Sequence, residues 1–469
     1  MKEIKKLYEG DMRKNYLLFA IPLILSALLS QSYSFVNSMM IGQFIGSEAF
    51  SATAVTAEFI EFLNSIFFGY LTGIGIYVSV LFGKGDYEKM LNVIKLNFLM
   101  SASLAIIISI VCNLFCKQIF DILNVNDEVY KNAEVYFRIY SCSYIVLQFN
   151  WGFTYISNGM GLTKIPLATS VTTGVINVAL NYLFLGVLDK SIGYSALATM
   201  IASGVTTIIY IYIYAKLFKN MGVNNRRLKI SKNLLYQSVE YGSPSALQQM
   251  AMYACTAMIA PLTNTCTTAA IAGYAVANKA RSLIVAVYQN SSKANTSFVA
   301  QAMGAGKIDK IKQGIKIGIS QGLLFFGVTI GIFIIFAKPF TLLFLDQAKD
   351  SEAIAISVNT IVFLFPLIIF NVFNNLVHGI FRAVGSGRLM LISTMIYAIS
   401  YVIYANVLFA VLPSDMRIYG VHLALSAAYI TEVIFAAIIF FTGKWKSPRY
   451  IELEEAYKVE QGLSEQTVA

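Results

Sequence analysis

The sequence predicts an all-α polytopic membrane protein with twelve transmembrane helices in two six-helix lobes. Three observations carry this prediction: an apolar composition, long hydrophobic runs and an internal repeat. Of the 469 residues, 57% are hydrophobic, and the mean hydropathy is +0.65. Charged residues make up 13% of the chain, about half of the share that is usual in a soluble domain. A helix of about 20 apolar residues can span a bilayer, and the chain contains many such runs.

Twelve hydrophobic segments are each long enough to cross a membrane as a helix. The second and the eighth are the longest, so they must tilt or extend beyond the hydrocarbon layer. The predicted spans are 15–38, 50–80, 92–115, 135–157, 165–187, 193–217, 236–262, 270–302, 313–336, 354–380, 389–411 and 418–442.

The basic residues alternate between the two sets of loops that these spans define. Most of the 35 lysines and arginines lie in the two tails and in every second loop, with a dense cluster at 216–232. Because positively charged loops stay in the cytoplasm, we expect both termini to be cytoplasmic. The formal net charge of +10 then reflects orientation and contact with anionic lipid, and no nucleic-acid partner is expected.

Five short stretches of the first half recur in the same order in the second half, 221–227 residues later. Pro22 aligns with Pro244, and Gly85 aligns with Gly306. The matched stretches are 20–30 with 242–252, 50–55 with 271–276, 82–89 with 303–310, 156–164 with 380–388, and 193–199 with 420–426.

The repeat divides the chain into an N-lobe at 1–217, a basic cytoplasmic linker at 218–235, a C-lobe at 236–443 and a polar cytoplasmic tail at 444–469. Six helices per lobe is an even number, so both lobes enter the membrane in the same direction. The lobes are therefore related by a pseudo-two-fold axis along the membrane normal. Secondary transporters that expose a central site to each face in turn are built in this way, whereas a receptor or scaffold has no need of such a repeat.

Several stretches, taken together with the repeat, resemble the MATE family of drug and cation antiporters. They are the first helix IPLILSALLSQSYSFVNSMMIGQFIG, the loops GKGDYEK and QAMGAGKIDK, and the segment HGIFRAVGSGR that ends the tenth span. The resemblance covers about residues 12–445. It implies twelve helices, a cleft between the lobes, and efflux of organic, often cationic or aromatic compounds driven by H⁺ or Na⁺, with no other cofactor.

Three positions at which members of that family commonly carry an acid hold asparagine in this sequence. They are Asn37 in the first span, Asn181 in the fifth (four residues after Asn177) and Asn371 in the tenth. An asparagine can hold a water molecule or a substrate, but it cannot take up a proton or neutralise Na⁺. We retain Asn37, Asn177, Asn181 and Asn371 as candidates for lining the cleft.

Glu58 and Glu61 lie within the second span, three residues apart and hence on one helix face, which Asn64 continues as a further cleft-lining candidate. Ionisable groups inside a membrane are costly and usually face a cavity or a partner. Both glutamates are therefore ion-coupling candidates. The repeat places Lys279 at the position equivalent to Glu58, which predicts a lobe–lobe gate formed by that pair. The alternative is that both carboxylates lie at a wet extracellular helix end.

Glu432 lies in the middle of the twelfth span, and the other acid within the predicted C-lobe spans, Glu240, lies close to the start of the seventh. Glu432 is a candidate for a second ion-coupling site, although it could equally pair with a neighbouring residue. His378 and His422 titrate near neutral pH in principle, but two scattered histidines are interpreted as structural.

The eighth span is unusually polar around YQNSSKANTSF. Gln289, Asn290 and Lys293 are candidates for lining a water-filled cleft, where Lys293 could bind an anionic group. The alternative is that this stretch packs its small residues against another helix.

No enzyme motif or metal-ligand spacing is present in the sequence, so we expect neither catalysis nor a metal site. Without a nucleotide-binding domain, transport must be secondary. The leading hypothesis is a monomeric antiporter of the plasma membrane that exports small amphipathic or cationic organic compounds, coupled to H⁺ or Na⁺. The alternative is a lipid-linked saccharide flippase of the same superfamily, because Lys279, Arg281 and Lys293 suit a pyrophosphate group.

Overall fold

The computed structural model describes residues 6–123, 125, 127–223 and 230–460. Ser47, Ala54, Glu58 and Asp127 are described only as members of their helices. Part of the predicted linker, 224–229, and the end of the predicted tail, 461–469, lie outside the described residues.

Every regular element in this part of the chain is helical. Helix α6 continues as a π-helix over Tyr182–Val187. Helix α12 continues as a π-helix over Thr360–Leu364 and then as a 3₁₀-helix over Phe365–Ile368, which leads into α13. The helices are α1 (Met12–Phe44), α2 (Ser47–Lys84), α3 (Tyr87–Leu114), α4 (Cys116–Ile122), α5 (Asp127–Gly159), α6 (Lys164–Asn181), α7 (Gly193–Asn220), α8 (Lys232–Asn264), α9 (Thr268–Gly304), α10 (Ile308–Ile335), α11 (Ala337–Thr341), α12 (Ser351–Asn359), α13 (Ile369–Ala383), α14 (Gly387–Val411), α15 (Arg417–Phe441) and α16 (Pro448–Glu460).

The predicted spans are confirmed as helices. Each lies inside one continuous helical segment or passes its end by a single residue. Ten of the described helical segments are long and apolar enough to cross a membrane. Helices α5 and α8 reach a similar length. Charged and amide residues interrupt the apolar run of each, so they are more polar than the other ten.

The turns that follow equivalent helices have the same backbone conformation in both halves of the chain. Gly85 after α2 and Gly306 after α9 both adopt a left-handed conformation, with φ of 80° and 71°. Gly161 and Gly385, which end the fourth and tenth spans, do the same. A side chain disfavours this conformation, which accounts for glycine at each aligned position.

The helices form two compact units. Unit 1 comprises residues 25–243, and unit 2 comprises residues 6–24 and 244–460. Helices α1 and α8 each contribute to both units, and the change falls close to Pro22 in α1 and at Pro244 in α8. The lobe boundaries given by the sequence repeat stay predictions.

Equivalent helices pack in the same way inside each unit. In unit 1, α5 packs against α2, α3 and α7. In unit 2, α13 packs against the equivalent helices α9, α10 and α15. The central helix of unit 2 therefore presents its side chains to three neighbours, and this arrangement positions the candidate site.

Close helix approach in unit 2 depends on a small residue. A Cβ atom added to Gly379 of α13 would lie 2.2 Å from the Thr296 hydroxyl oxygen of α9. The absence of a side chain at Gly379 therefore lets α13 approach α9 closely, as small residues do between membrane helices.

Three short helices lie outside the predicted spans. Helices α4 and α11 follow the equivalent helices α3 and α10, so they are part of the repeat. Helix α16 lies in the predicted polar tail, with Tyr450 buried and Glu454 bound by Lys312 and Lys446. The described part of this tail is thus an ordered helix.

Candidate functional site

A polar stripe runs along α13 in the interior of unit 2. Asn371, Asn374, Asn375 and His378 recur at the three- and four-residue spacing that places side chains on adjacent parts of one helix surface. Asn375 Nδ2 donates to Asn371 Oδ1 at 2.8 Å, and Asn371 Nδ2 donates to the hydroxyl of Tyr288 on α9 at 2.6 Å. The stripe therefore joins α13 to α9 by hydrogen bonds between side chains.

The stripe reaches the buried carboxyl group of Glu432 on α15. Glu432 is 4% exposed. Asn374 Nδ2 donates to Glu432 Oε2 at 2.7 Å and to the backbone carbonyl of Tyr429 at 3.2 Å. Because a carbonyl can only accept, the second contact fixes the asparagine amide with its nitrogen toward the carboxyl group.

His378 lies against the other oxygen of the same carboxyl group. His378 Nε2 is 3.5 Å from Glu432 Oε1, and both side chains are 5% exposed. Gln248 of α8 lies on the opposite side of the imidazole, with its Nε2 3.3 Å from His378 Nδ1. If the Gln248 amide donates to Nδ1, the neutral imidazole carries its hydrogen on Nε2, the ring nitrogen that faces Glu432.

The His378–Glu432 contact is close but lacks hydrogen-bond geometry. Among the described residues, His378 Nε2 has no hydrogen-bond partner. A buried imidazole nitrogen normally has a hydrogen-bond partner. The distance between the two groups can therefore change when one of them gains or loses a proton. Arg382, one turn further along α13, and Tyr288, Tyr429 and Cys255 are further charged or titratable groups within electrostatic range of this pair.

Sequence reasoning identified Glu432 and Asn371 but missed their partners. His378 was interpreted as structural, and Asn374, Asn375 and Gln248 were not singled out. The asparagine–histidine spacing along α13 is a visible signal of a polar helix face. Nothing in the sequence shows that this face meets Glu432, because the contact joins helices that are more than fifty residues apart.

The asparagines predicted in the N-lobe lie together inside unit 1, on the surface of α7. Asn37 Oδ1 accepts from the hydroxyl of Ser195 at 3.0 Å, and Asn177 Nδ2 donates to the hydroxyl of Thr199 at 3.0 Å. Asn181 Nδ2 donates to the Asn177 backbone carbonyl and to its Oδ1 at 2.9 and 3.2 Å. Asn177 and Asn181 are buried, whereas Asn37 is partly exposed. Each of the three amides makes at least one hydrogen bond, but Asn181 Oδ1 has no partner among the described residues.

The structure describes one of the two glutamate side chains of α2 that are ion-coupling candidates. Glu61 is exposed, and its Oε1 accepts from Asn64 Nδ2 at 3.4 Å. Tyr33 and Tyr140 are among the tyrosines within electrostatic range of its carboxyl group. The side chain of Glu58 lies outside the described residues.

Lys279 is exposed on α9, with its Nζ 5.8 Å from the ring centroid of Phe344 in the same unit. The gate between Glu58 and Lys279 stays a prediction.

The polar stretch of α9 divides into two groups. Gln289, Asn290 and Lys293 are partly exposed, and Lys293 Nζ approaches Asn290 Oδ1 at 3.5 Å. The small residues between them are buried: the hydroxyl of Tyr16 donates to the backbone carbonyl of Ser291 at 2.7 Å, for example. The small residues therefore pack against neighbouring helices, and the cleft-lining role of Gln289, Asn290 and Lys293 stays a prediction.

These observations define a class of protein. A multi-pass helical membrane protein made of two structurally repeated units, each with hydrogen-bonded polar side chains in its interior, has the architecture of a secondary transporter. The family model described as MatE matches the chain twice, at residues 22–183 and 244–408. The chain belongs to this family. The two matched segments begin 222 residues apart, in agreement with the repeat in the sequence.

Comparisons with individual proteins agree with this assignment. The probable multidrug resistance protein YoeA of Bacillus subtilis (strain 168) is 26% identical over 342 residues, which cover 71% of this chain and 73% of that protein. The multidrug export protein MepA of Staphylococcus haemolyticus (strain JCSC1435) is 23% identical over 394 residues, which cover 83% and 85%.

A solved structure supports the fold. A multidrug resistance MATE family transporter of the MOP superfamily, solved in an outward-facing conformation, matches with a TM-score of 0.85 and 19% identity, covering 97% of this chain and 99% of that one. At this identity the likeness shows the fold alone.

Proposed function

We propose that this protein is a secondary active efflux transporter that exports small amphipathic organic compounds and is driven by a proton gradient. Membership of the MatE family, a repeat of the kind used for alternating access and the multidrug names of its relatives support the proposal. The same names do not favour the lipid-linked saccharide flippase. We further propose a plasma-membrane protein that acts as a monomer, has cytoplasmic termini and no nucleic-acid partner, and catalyses no reaction.

The buried pair of His378 and Glu432 is the observation that carries the coupling proposal. An ionised carboxylate in an apolar interior is costly unless it is paired or neutralised. One proton added to the pair gives a net charge of zero, whichever of the two groups holds it. Uptake and release of that proton would shift the population of states that the transporter occupies.

The groups around Glu432 favour a proton over Na⁺ as the coupling ion. A hard cation prefers a shell of oxygen ligands. Around Glu432, Asn374 presents its nitrogen to one carboxyl oxygen and His378 presents a ring nitrogen to the other. Neither of these two neighbours offers an oxygen at these contacts. The hydroxyl of Ser393 on α14 also lies near the carboxyl group, but one hydroxyl oxygen does not complete a shell for a hard cation. The donor set therefore suits a carboxyl group that exchanges a proton.

The proposal differs from the sequence-based preference for Glu58 and Glu61 as the coupling groups. Glu61 is exposed and lies beside an asparagine amide, so water can reach its carboxyl group, whereas the carboxyl group of Glu432 is buried. Glu58 stays a candidate on sequence grounds alone.

Dye efflux from everted membrane vesicles tests the proposal. Export of ethidium would be followed with a proton gradient and a Na⁺ gradient imposed separately, for the wild type and for Glu432→Gln and Glu61→Gln. We expect the proton gradient to drive efflux, and we expect Glu432→Gln to reduce it at least tenfold. Glu61→Gln is the matched control and should stay within twofold of the wild type.

Two outcomes would overturn the coupling site. The first is full proton-driven efflux by Glu432→Gln. The second is loss of efflux in Glu61→Gln alone, which would restore the assignment made from the sequence. If the wild type moves no member of a wider dye panel under either gradient, the efflux function itself is wrong.

A further inference from the structure

A second group of polar side chains lies inside unit 2, and it contains a guanidinium group in place of an acid. Tyr274, Arg281 and Tyr288 recur every seven residues along α9, so they share one face of that helix. Tyr397 and Tyr401 of α14 and Tyr429 of α15 are buried within electrostatic range of Arg281. Tyrosines from three helices thus lie within electrostatic range of one cation.

The guanidinium group of Arg281 is only partly satisfied by the protein. Arg281 Nε donates to Asn278 Oδ1 at 3.0 Å. Arginine has five N–H donors, and the ion pairs among the described residues do not include Arg281. Arg281 lies among protein groups, yet part of the residue is accessible to solvent. Donors of the guanidinium group therefore remain for a ligand that reaches the accessible part of this residue.

An imidazole nitrogen provides an independent indication of a ligand. His422 of α15 is 3% exposed, and its Nε2 has no hydrogen-bond partner among the described residues. The imidazole packs on the ring of Tyr274, with centroids 4.8 Å apart, and it lies within electrostatic range of Arg281. A buried polar atom without a partner is uncommon in a folded protein, and here it lies within electrostatic range of a cation whose donors are only partly used.

The tyrosines near Arg281 form an aromatic cluster in the core of unit 2. Tyr397 and Tyr429 stack with their centroids 5.0 Å apart and their planes 8° apart, and Tyr401 lies 5.9 Å from Tyr397. Tyrosine rings combine apolar faces with a polar hydroxyl group at the edge, and Tyr274 is the partly exposed member of the cluster. The group thus places donors for negatively charged oxygens next to aromatic side chains.

We propose that unit 2 holds an anion subsite in which Arg281 and His422 bind the carboxylate or sulfonate group of an aromatic organic substrate, against the rings of Tyr274, Tyr397, Tyr401 and Tyr429. Guanidinium groups bind such anions through two parallel hydrogen bonds. The proposal rests on the proposed efflux function and adds aromatic anions to the amphipathic organic compounds proposed as its substrates.

Equilibrium dye binding to the full chain tests the subsite without any ion gradient. The chain would be reconstituted in nanodiscs of phosphatidylcholine alone, so that no anionic lipid competes. Fluorescein and rhodamine 123 share a xanthene ring system but differ in the sign of their charge, and fluorescence anisotropy would give the dissociation constant of each dye.

The expected result is a loss of affinity that depends on the charge of the dye. Arg281→Gln should weaken fluorescein binding at least tenfold and leave rhodamine 123 binding within twofold. Arg281→Lys keeps the charge but loses the bidentate geometry, so it should weaken fluorescein binding three- to tenfold. Arg388→Gln, which removes an exposed arginine at the start of α14, is the matched control and should leave both dyes unaffected.

The proposal is overturned if Arg281→Gln leaves fluorescein affinity within twofold of the wild type, or if the substitution weakens both dyes equally. If Arg281→Gln does not yield folded protein, the same two criteria apply to Arg281→Lys. Failure of the efflux function would appear as absent gradient-driven transport with intact fluorescein binding, and is thereby distinguished from failure of the subsite.

Discussion

His378 Nε2 of α13 lies 3.5 Å from Glu432 Oε1 of α15, inside one unit of a repeated membrane protein. Asn374 holds the second oxygen of the same carboxyl group at 2.7 Å. The carboxyl group is therefore held between a fixed hydrogen-bond donor and a group that can gain or lose a proton. This asymmetry is what a coupling site requires, since one contact keeps the position while the other changes with protonation.

Asn374→Ala tests the fixed side of that arrangement. The substitution removes the donor to Glu432 Oε2 and leaves a buried carboxyl oxygen unsatisfied, which costs about 1–3 kcal/mol. We expect a lower midpoint of thermal unfolding in detergent, measured by intrinsic fluorescence. Asn406→Ala is the control, because Asn406 is exposed and donates only to the carbonyl of Val402 in its own helix. Equal midpoints for the two variants would contradict the role given to Asn374.

Gly379→Ala tests the close approach of α13 to α9. A methyl group at this position would lie 2.2 Å from the Thr296 hydroxyl oxygen, so the two helices must separate. Such overpacking typically costs about 1–3 kcal/mol, and the displacement would also move the α13 stripe. Gly327→Ala is the matched control on α10, where a Cβ atom meets no atom within 4 Å. Thermal unfolding should separate the two variants, and a Gly379→Ala protein as stable as Gly327→Ala would refute this packing argument.

The sequence predicted the helices and the repeat well because both leave local signals. Hydrophobic length located the spans, and aligned glycines such as Gly85 and Gly306 marked turns that later proved to be left-handed. The candidate site was predicted only in part. Glu432 was visible as a rare acid in an apolar helix, but its partner His378 lies on another helix, and no pattern along the chain links the two. Arg281 was visible in the sequence as a charged residue in an apolar helix. Its tyrosine neighbours on α14 and α15 could not be predicted, because only helix packing brings them near it.

Asn37→Asp and Asn181→Asp should have opposite outcomes, although both restore an acid that related transporters commonly carry. Asn37 uses its oxygen as an acceptor from Ser195, so an aspartate can accept the same hydrogen bond. Asn181 is 0% exposed and uses its nitrogen as a donor to two oxygens of Asn177. An aspartate there loses the donor and places its oxygens against other oxygens.

We expect the free energy of unfolding of Asn37→Asp to lie within about 1 kcal/mol of the wild-type value, the range of a substitution that preserves its contacts. Asn181→Asp should be destabilised by about 3 kcal/mol or more at neutral pH, because it buries an unpaired charge. Yield of monodisperse protein and thermal unfolding give the comparison. If Asn181→Asp proves as stable as Asn37→Asp, the hydrogen-bond assignment inside unit 1 is wrong.

Helix α16 should detach from unit 2 in acid. Partial burial raises the pKa of Glu454, but hydrogen bonds and charge from Lys446 and Lys312 outweigh that effect, so its pKa is lowered from the ordinary value of 4.5. A lowered pKa in the folded state means that the ionised carboxylate stabilises the docked helix above about pH 4.5, the unfolded value. The contribution is lost as the pH falls through the lower, folded pKa.

Limited proteolysis of the tail between pH 7 and pH 3, with a protease active across this range, measures the docking. Wild-type α16 should be protected at neutral pH and cleaved progressively faster in acid, whereas Glu454→Gln should be cleaved readily at every pH. Glu455→Gln, which removes the exposed neighbouring carboxylate, should follow the wild type. Protection of Glu454→Gln at pH 7 equal to that of the wild type would show that Tyr450 and the apolar contacts of α16, rather than the Lys312–Glu454–Lys446 cluster, hold the helix in place.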